Sequence, residues 1–281
     1  MAREFADLVQ GKWDEMKCVC VGLDSDVRLL PPVLGDDDLN GGKQFRFNRA
    51  IIEATADLVC AYKPNSAFYE ACGSRGIEDL QRTIEFIHEM APEVPVIVDA
   101  KRADIGNTNR AYADYLFEYL NADAITVHPY LGRTTLDPFL ERREKGIFVL
   151  CRTSNPGGGE LQDLVVGPTG RPLFQVVAES VATQWNENQN CGLVVGATYP
   201  GELTMVRDIA PDLPLLVPGV GEQGGDLEDS VRRGRRRGGI GTVVNASRSV
   251  IFRSRGVDFA EEAALEVSAM NKRVVACLRA A

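Results

Sequence analysis

Two acids and a lysine crowd into the run Val98-Asp99-Ala100-Lys101-Arg102-Ala103-Asp104. In a strand, side chains repeat every two residues, so Asp99 and Lys101 share a face. A carboxylate beside an ammonium has two uses. It is either a buried ion pair that closes a fold, or a lysine general acid kept charged and aimed by flanking carboxylates. More polar groups follow other apolar runs: Asp24 in VGLDSD, Lys63 and Asn65 in YKPN, Arg152-Thr153-Ser154, the turn Pro218–Gly225, and Asn245-Ala246-Ser247-Arg248. Charged groups rarely sit at the end of a buried strand without a partner. Brought to one mouth, Asp24, Lys63, Asp99, Lys101 and Asp104 would form a cluster of alternating sign.

The elements that must position them are short, β-branched and nearly continuously apolar. They are Cys18–Leu23, Leu58–Lys63, Val94–Lys101, Ala124–His128, Ile147–Arg152, Gly192–Thr198, Leu213–Gly219 and Thr242–Ala246. Such runs suit parallel strands covered on both faces. They recur roughly every 30 residues, the length of one βαβ unit. Between them, Phe47–Asp57, Ile77–Met90, Asn109–Leu120, Leu173–Gln184, Gly201–Ile209 and Phe259–Leu278 show helical spacing of apolar residues. Length alone, 281 residues, suggests two domains. Eight regular units predict instead an α/β fold with one domain spanning 1–281, a (β/α)8 TIM barrel. Residues 31–44 and 154–171 are rich in Gly, Pro and acid and read as loop insertions at the barrel mouth.

Composition narrows the function classes. There are 31 basic and 40 acidic residues, a formal charge of −9. An acidic chain is a poor match for nucleic acid or a membrane surface. Seven cysteines occur without a CxxC pair, which reads as thiols in a reducing compartment. The N-terminal stretch has no apolar signal region, and no apolar run reaches the length of a membrane span. A cytoplasmic location is expected. With two histidines and scattered cysteines, no metal-ligand spacing is present. His88 reads as a surface residue, His128 as a packed one, and the basic run Arg232–Arg237 as a solvated face. Gly219-x-Gly221-x-x-Gly224 matches the dinucleotide fingerprint formally, but it follows the seventh strand and no acid lies about 20 residues on. A phosphate loop is the better reading, with backbone N–H groups and Arg248 as the clamp.

The run from Val98 to Thr108 resembles the signature of the orotidine 5′-monophosphate decarboxylase family, Asp-x-Lys-x-x-Asp-Ile-x-x-Thr at the end of strand three. Asp24, Lys63, Asn65, Thr153, Ser154, Pro218 to Gln223, Ser247 and Arg248 fall where that family has substrate contacts. The TSNPG segment and the glycine-rich seventh turn resemble its type 2 branch. The resemblance implies decarboxylation of orotidine 5′-monophosphate to uridine 5′-monophosphate, the last step of UMP synthesis, with no cofactor and no metal. By the same resemblance, Lys101 protonates C6, flanked by Asp99 and Asp104. Asp24, Lys63 and Thr108 hold the ribose hydroxyls, Ser154 reads the pyrimidine edge, and Gln223 and Arg248 grip the phosphate. Asp104, Ile105 and Thr108 are expected to reach a neighbouring subunit, which implies a homodimer with shared sites.

Three rivals remain open on the residues. They are a Mg²⁺-dependent sugar-phosphate decarboxylase or synthase on the same scaffold, a Schiff-base aldolase using Lys101 or Lys63, and a non-catalytic nucleotide-binding protein.

Overall fold

The eight apolar runs all become strands, each covered on both sides. They are β1 (Val19–Leu23), β2 (Ala61–Pro64), β3 (Ile97–Arg102), β4 (Ala124–Val127), β5 (Gly146–Arg152), β6 (Cys191–Val195), β7 (Leu215–Pro218) and β8 (Thr242–Ala246). The computed structural model describes residues 3–35, 41–221 and 224–280. Every neighbouring pair is parallel, in the order β2-β1-β8-β7-β6-β5-β4-β3. The ring closes between β2 and β3 through two isolated bridges, Tyr62 to Val96 and Asn65 to Asp99. The result is a single-domain TIM barrel.

Helices cover the outside. Those expected from periodicity appear as α2 (Lys43–Thr55), α3 (Gly73–Met90), α4 (Gly106–Ala113), α6 (Leu173–Ser180), α7 (Pro200–Ile209) and α9 (Phe259–Arg279). The expected ends at Leu120 and Gln184 are reached through wider π-type turns, Asp114–Tyr119 and Val181–Trp185. Among the described residues, three further helices of eight or more residues were not anticipated: α1 (Phe5–Asp14), α5 (Arg133–Leu140) and α8 (Leu227–Gly234).

Helix α1 plugs the barrel end opposite the site. Phe5, Val9 and Trp13 recur every four residues and are buried. Phe5 meets Phe148 edge to face, and Trp13 Nε1 donates to the Thr242 carbonyl at 2.9 Å. Just before α1, Arg3 forks onto Asp123 with two 2.9 Å bonds. His88 also reaches Asp123, at 3.2 Å, so the expectation of a surface histidine fails: its side chain is 12% exposed. The acid at the foot of β4 recruits it. Burial opposes the charge on Asp123, but Arg3 and His88 outweigh that and lower its pKa to about 2. In the basic run, Arg232, Arg233, Arg235 and Arg237 are exposed as expected, while Arg236 lies over the Trp13 ring. All seven cysteines are unbridged. Among the described residues, no helix is long and apolar enough to cross a membrane.

Candidate active site

The C-terminal strand ends surround a cavity of about 490 Å³, within the range of roughly 300–1,000 Å³ typical of small-molecule sites. Leu150, Val194 and Leu216 supply an apolar wall. Charge comes from the ends of β1, β2 and β3, and from Arg248 just after β8.

The cavity owes its charged side to an irregularity in β3. Val98 pairs with Ile125 and Arg102 with Val127, so four steps on β3 oppose two on β4. The chain bulges over Asp99-Ala100-Lys101, a common device for re-aiming side chains beside active sites. Lys101 has φ of +46°, a left-handed backbone that disfavours a side-chain-bearing residue. Asp99 and Lys101 do meet, with Lys101 Nζ 2.7 Å from Asp99 Oδ1. The bulge, and not a regular pleat, brings them together.

Lys63 reaches the other oxygen, Asp99 Oδ2, at 3.1 Å and stands 3.9 Å from Asp24 Oδ1. It is 3% exposed at the end of β2. Burial works against its charge, yet Asp99 and Asp24 raise its pKa further above the usual lysine range. Burial likewise opposes ionisation of Asp99, but Lys63 and Lys101 hold its carboxyl well below the usual carboxylate range. Thr126 adds a donor, with Oγ1 2.7 Å from Asp99 Oδ1. Asp24 Oδ1 is buried with no hydrogen-bond partner among the described residues. An acceptor left so is costly unless a ligand donor meets it.

Of the residues picked from the sequence, Asp24, Lys63, Asn65, Asp99, Lys101, Thr153, Ser154, Pro218, Ser247 and Arg248 all line this cavity. Asn65 also caps a short helix, its Oδ1 accepting from Ala67 N. Ser247 fits because β1 carries Gly22 opposite it; a Cβ there would lie 1.9 Å from Ser247 Oγ. Asp104, Ile105 and Thr108 do not line the cavity and stand on the rim, so Asp104 does not join the charged cluster within one chain. Buried Asn109 pins that rim loop, its Oδ1 accepting from Asp104 N and its Nδ2 donating to Asp104 O. Gln223 lies outside the described residues.

The turn after β7 differs from a row of open donors. Gly221, Gly224 and Gly225 use their amides within the turn itself. Gly219, Gly221 and Gly224 all have positive φ, which explains the spacing of the glycines.

Sequence reasoning missed Thr126, Asn155, Gln162 and Ser249, which also line the cavity, as does Asn245 from the polar end of β8. Thr126 was hidden inside an apolar run. Gln162 comes from the 154–171 insertion, where it accepts from Thr153 N at 2.9 Å. Arg152 organises that insertion. It is 2% exposed, lies 3.9 Å from the Tyr199 ring centre, and reaches Asp163 Oδ2 at 3.2 Å.

The model of the orotidine 5′-phosphate decarboxylase / HUMPS family matches residues 17–263. A protein of Herpetosiphon aurantiacus named orotidine 5′-phosphate decarboxylase is 53% identical over 245 residues, 87% of this chain and 88% of that one. The structure of Leishmania donovani OMP decarboxylase superposes with a TM-score of 0.80 at 38% identity, covering 96% of this chain and 99% of that one. Leishmania donovani UMP synthase gives a TM-score of 0.81 at 39% identity, covering 96% of this chain but 57% of that longer one. By family match, sequence identity and barrel geometry together, this chain belongs to the orotidine 5′-phosphate decarboxylase / HUMPS family.

Proposed function

We propose that the chain decarboxylates orotidine 5′-monophosphate to uridine 5′-monophosphate and CO₂. The observation that carries this reading is the Lys63–Asp99–Lys101 array facing the cavity, with Lys101 Nζ 2.7 Å from Asp99 Oδ1. Losing CO₂ from C6 leaves an electron pair with no ring sink. A fixed ammonium at that carbon stabilises the developing charge most where the site excludes water. Lys101 then supplies the proton to C6. Asp99, held ionised by its two lysines, opposes a second carboxylate in the same place, and that repulsion disappears as CO₂ departs. Buried Asp24 Oδ1 suits a ribose hydroxyl donor, and Lys63 lies beside it. Ser154 meets the pyrimidine edge, with Asn65, Thr153, Pro218 and Ser247 completing the wall. Arg248 and Gln223 take the phosphate, whose binding away from C6 helps drive the site toward its reactive geometry.

The working unit in this reading is a homodimer. Ile105 is 62% exposed and Tyr130 80% exposed, on the loops after the adjacent strands β3 and β4. With Leu131 they form an apolar rim beside the mouth. A second copy docked there would bring its own Asp104, Ile105 and Thr108 to this cavity. The seven unbridged cysteines suit a cytoplasmic enzyme. The test is a turnover assay following the ultraviolet change of orotidylate, with CO₂ release measured in parallel. Expected is conversion with one CO₂ per uridylate; absence of turnover by the folded, dimeric chain overturns the reading.

A further inference from the structure

Thr126 lines the cavity, yet the reaction above gives its hydroxyl no substrate contact. It sits within β4 in the apolar run Ala-Ile-Thr-Val and is 1% exposed. A buried hydroxyl there needs partners, and Thr126 has two. Its Oγ1 donates to Asp99 Oδ1 at 2.7 Å and accepts from the Lys101 backbone N–H at 2.9 Å. Those partners are the two ends of the β3 bulge. One hydroxyl therefore spans the place where β3 and β4 lose their regular pairing, between Val98 and Arg102.

We propose that Thr126 is a positioning residue that locks the Asp99 carboxylate and the Lys101 backbone into one geometry. The proposal rests on the decarboxylase reading. In that reaction the C6–carboxylate bond breaks, its electron pair stays on C6, and a proton moves from Lys101 Nζ to C6; solvent then reprotonates the amine. Both groups must be in register at once. Asp99 Oδ1 takes its two hydrogen bonds from Thr126 and Lys101, while Oδ2 takes one from Lys63. Without the hydroxyl, only long lysine stems among the described residues orient the carboxylate. The Lys101 N–H also loses its acceptor at a residue with φ of +46°. The peptide is then free to leave the left-handed region, which swings the base of the proton donor. Misplacement by about 1 Å costs on the order of 100-fold in rate.

The test compares Thr126→Val, which keeps shape and deletes the hydroxyl, with Thr126→Ser, which keeps the hydroxyl. Expected is a fall in kcat of about 10- to 100-fold for the valine variant. Its Kd for uridine 5′-monophosphate should stay within about twofold, since Thr126 touches Asp99 and Lys101 and not the ribose or phosphate contacts. The serine variant should return to within about threefold of wild type in kcat. If the valine chain does not fold, Thr126→Cys, with its weak donor, carries the same comparison. A valine or cysteine variant with wild-type kcat overturns the proposal. So does a loss shared equally by kcat and uridylate affinity that serine fails to restore, which marks plain packing. A folded wild type that releases no CO₂ overturns the decarboxylase reading and this role with it; an active wild type matched by its valine variant overturns only the role of Thr126.

Discussion

At the scale of single residues, the site divides the work between a charge that reacts and charges that hold. Lys101 is 48% exposed at the side chain and faces the cavity, while Lys63 is buried behind it. Lys101→Ala should lower kcat by at least about 10³-fold, roughly 4 kcal/mol of transition-state stabilisation, while uridylate still binds. Arg248→Ala should instead weaken phosphorylated ligands and leave the unphosphorylated nucleoside nearly unchanged. Steady-state kinetics and titration of both ligands on both variants check the pair. Asp99, Lys101 and Lys63 were legible in the sequence because strand ends seldom carry unpaired charge. Thr126 was not, because a threonine inside Ala-Ile-Thr-Val has the same pattern whether its hydroxyl serves a site or only β propensity.

Among the elements, the strands were the most readable part of the fold. Parallel strands buried on both faces leave a continuous apolar signal, and the expected runs differ from the observed strands by a few residues at their ends. The missed helices are short and weakly marked. α8 is built on Leu227 and Val231 among charged residues, and α5 contains Pro138. Gln162 of the 154–171 segment lines the cavity, and that segment's order comes from Arg152, which reaches Gln162 and Asp163 ten and eleven residues on and the Tyr199 ring. Gly158 and Gly159 pass close to its guanidinium; a Cβ on Gly158 would lie 3.0 Å from Nη1. Arg152→Met should therefore loosen residues 153–163 and destabilise the protein by about 2 kcal/mol, through lost stacking on Tyr199 and lost charged hydrogen bonds. KM for the nucleotide should rise more than kcat falls, because Ser154 shares that loop. Urea unfolding and steady-state kinetics read both effects.

For the whole molecule, the two barrel ends carry different duties. The end opposite the site is tied by Arg3, His88 and Asp123. The folded pKa of Asp123 is about 2, below its ordinary value of 3.8. Its contribution is therefore present above about pH 4 and is lost as pH falls toward 2, an effect of about 2 kcal/mol. The stability gap between wild type and Asp123→Asn, measured by urea unfolding at pH 5 and pH 2.5, should narrow by that amount with activity at neutral pH little changed. At the mouth, the proposed dimer has a separate test. Mixing inactive Lys101→Ala and Asp104→Ala chains under exchange conditions should restore roughly a quarter of wild-type activity, because half the dimers are mixed and each holds one intact site. No recovery, despite proven exchange, would show that each site belongs to one chain.

The closure of the barrel between β2 and β3 has a further consequence. Every other pair of neighbouring strands shares a ladder, but this seam is stitched by two isolated bridges, and one of them joins Asn65 to Asp99. The Lys63–Asp99 contact crosses the same gap at 3.1 Å. The reacting charges are thus also the clasp of the hoop. A barrel fastened this way should come undone first where it works. Under mild urea, the amides of residues 61–63 and of Ile97–Arg102 should exchange with deuterium before those of β5 and β6, and turnover should fade before the rest of the barrel melts. Ligands that bring a phosphate and a ribose to the mouth would then act as a buckle, protecting the enzyme from unfolding at the seam they occupy.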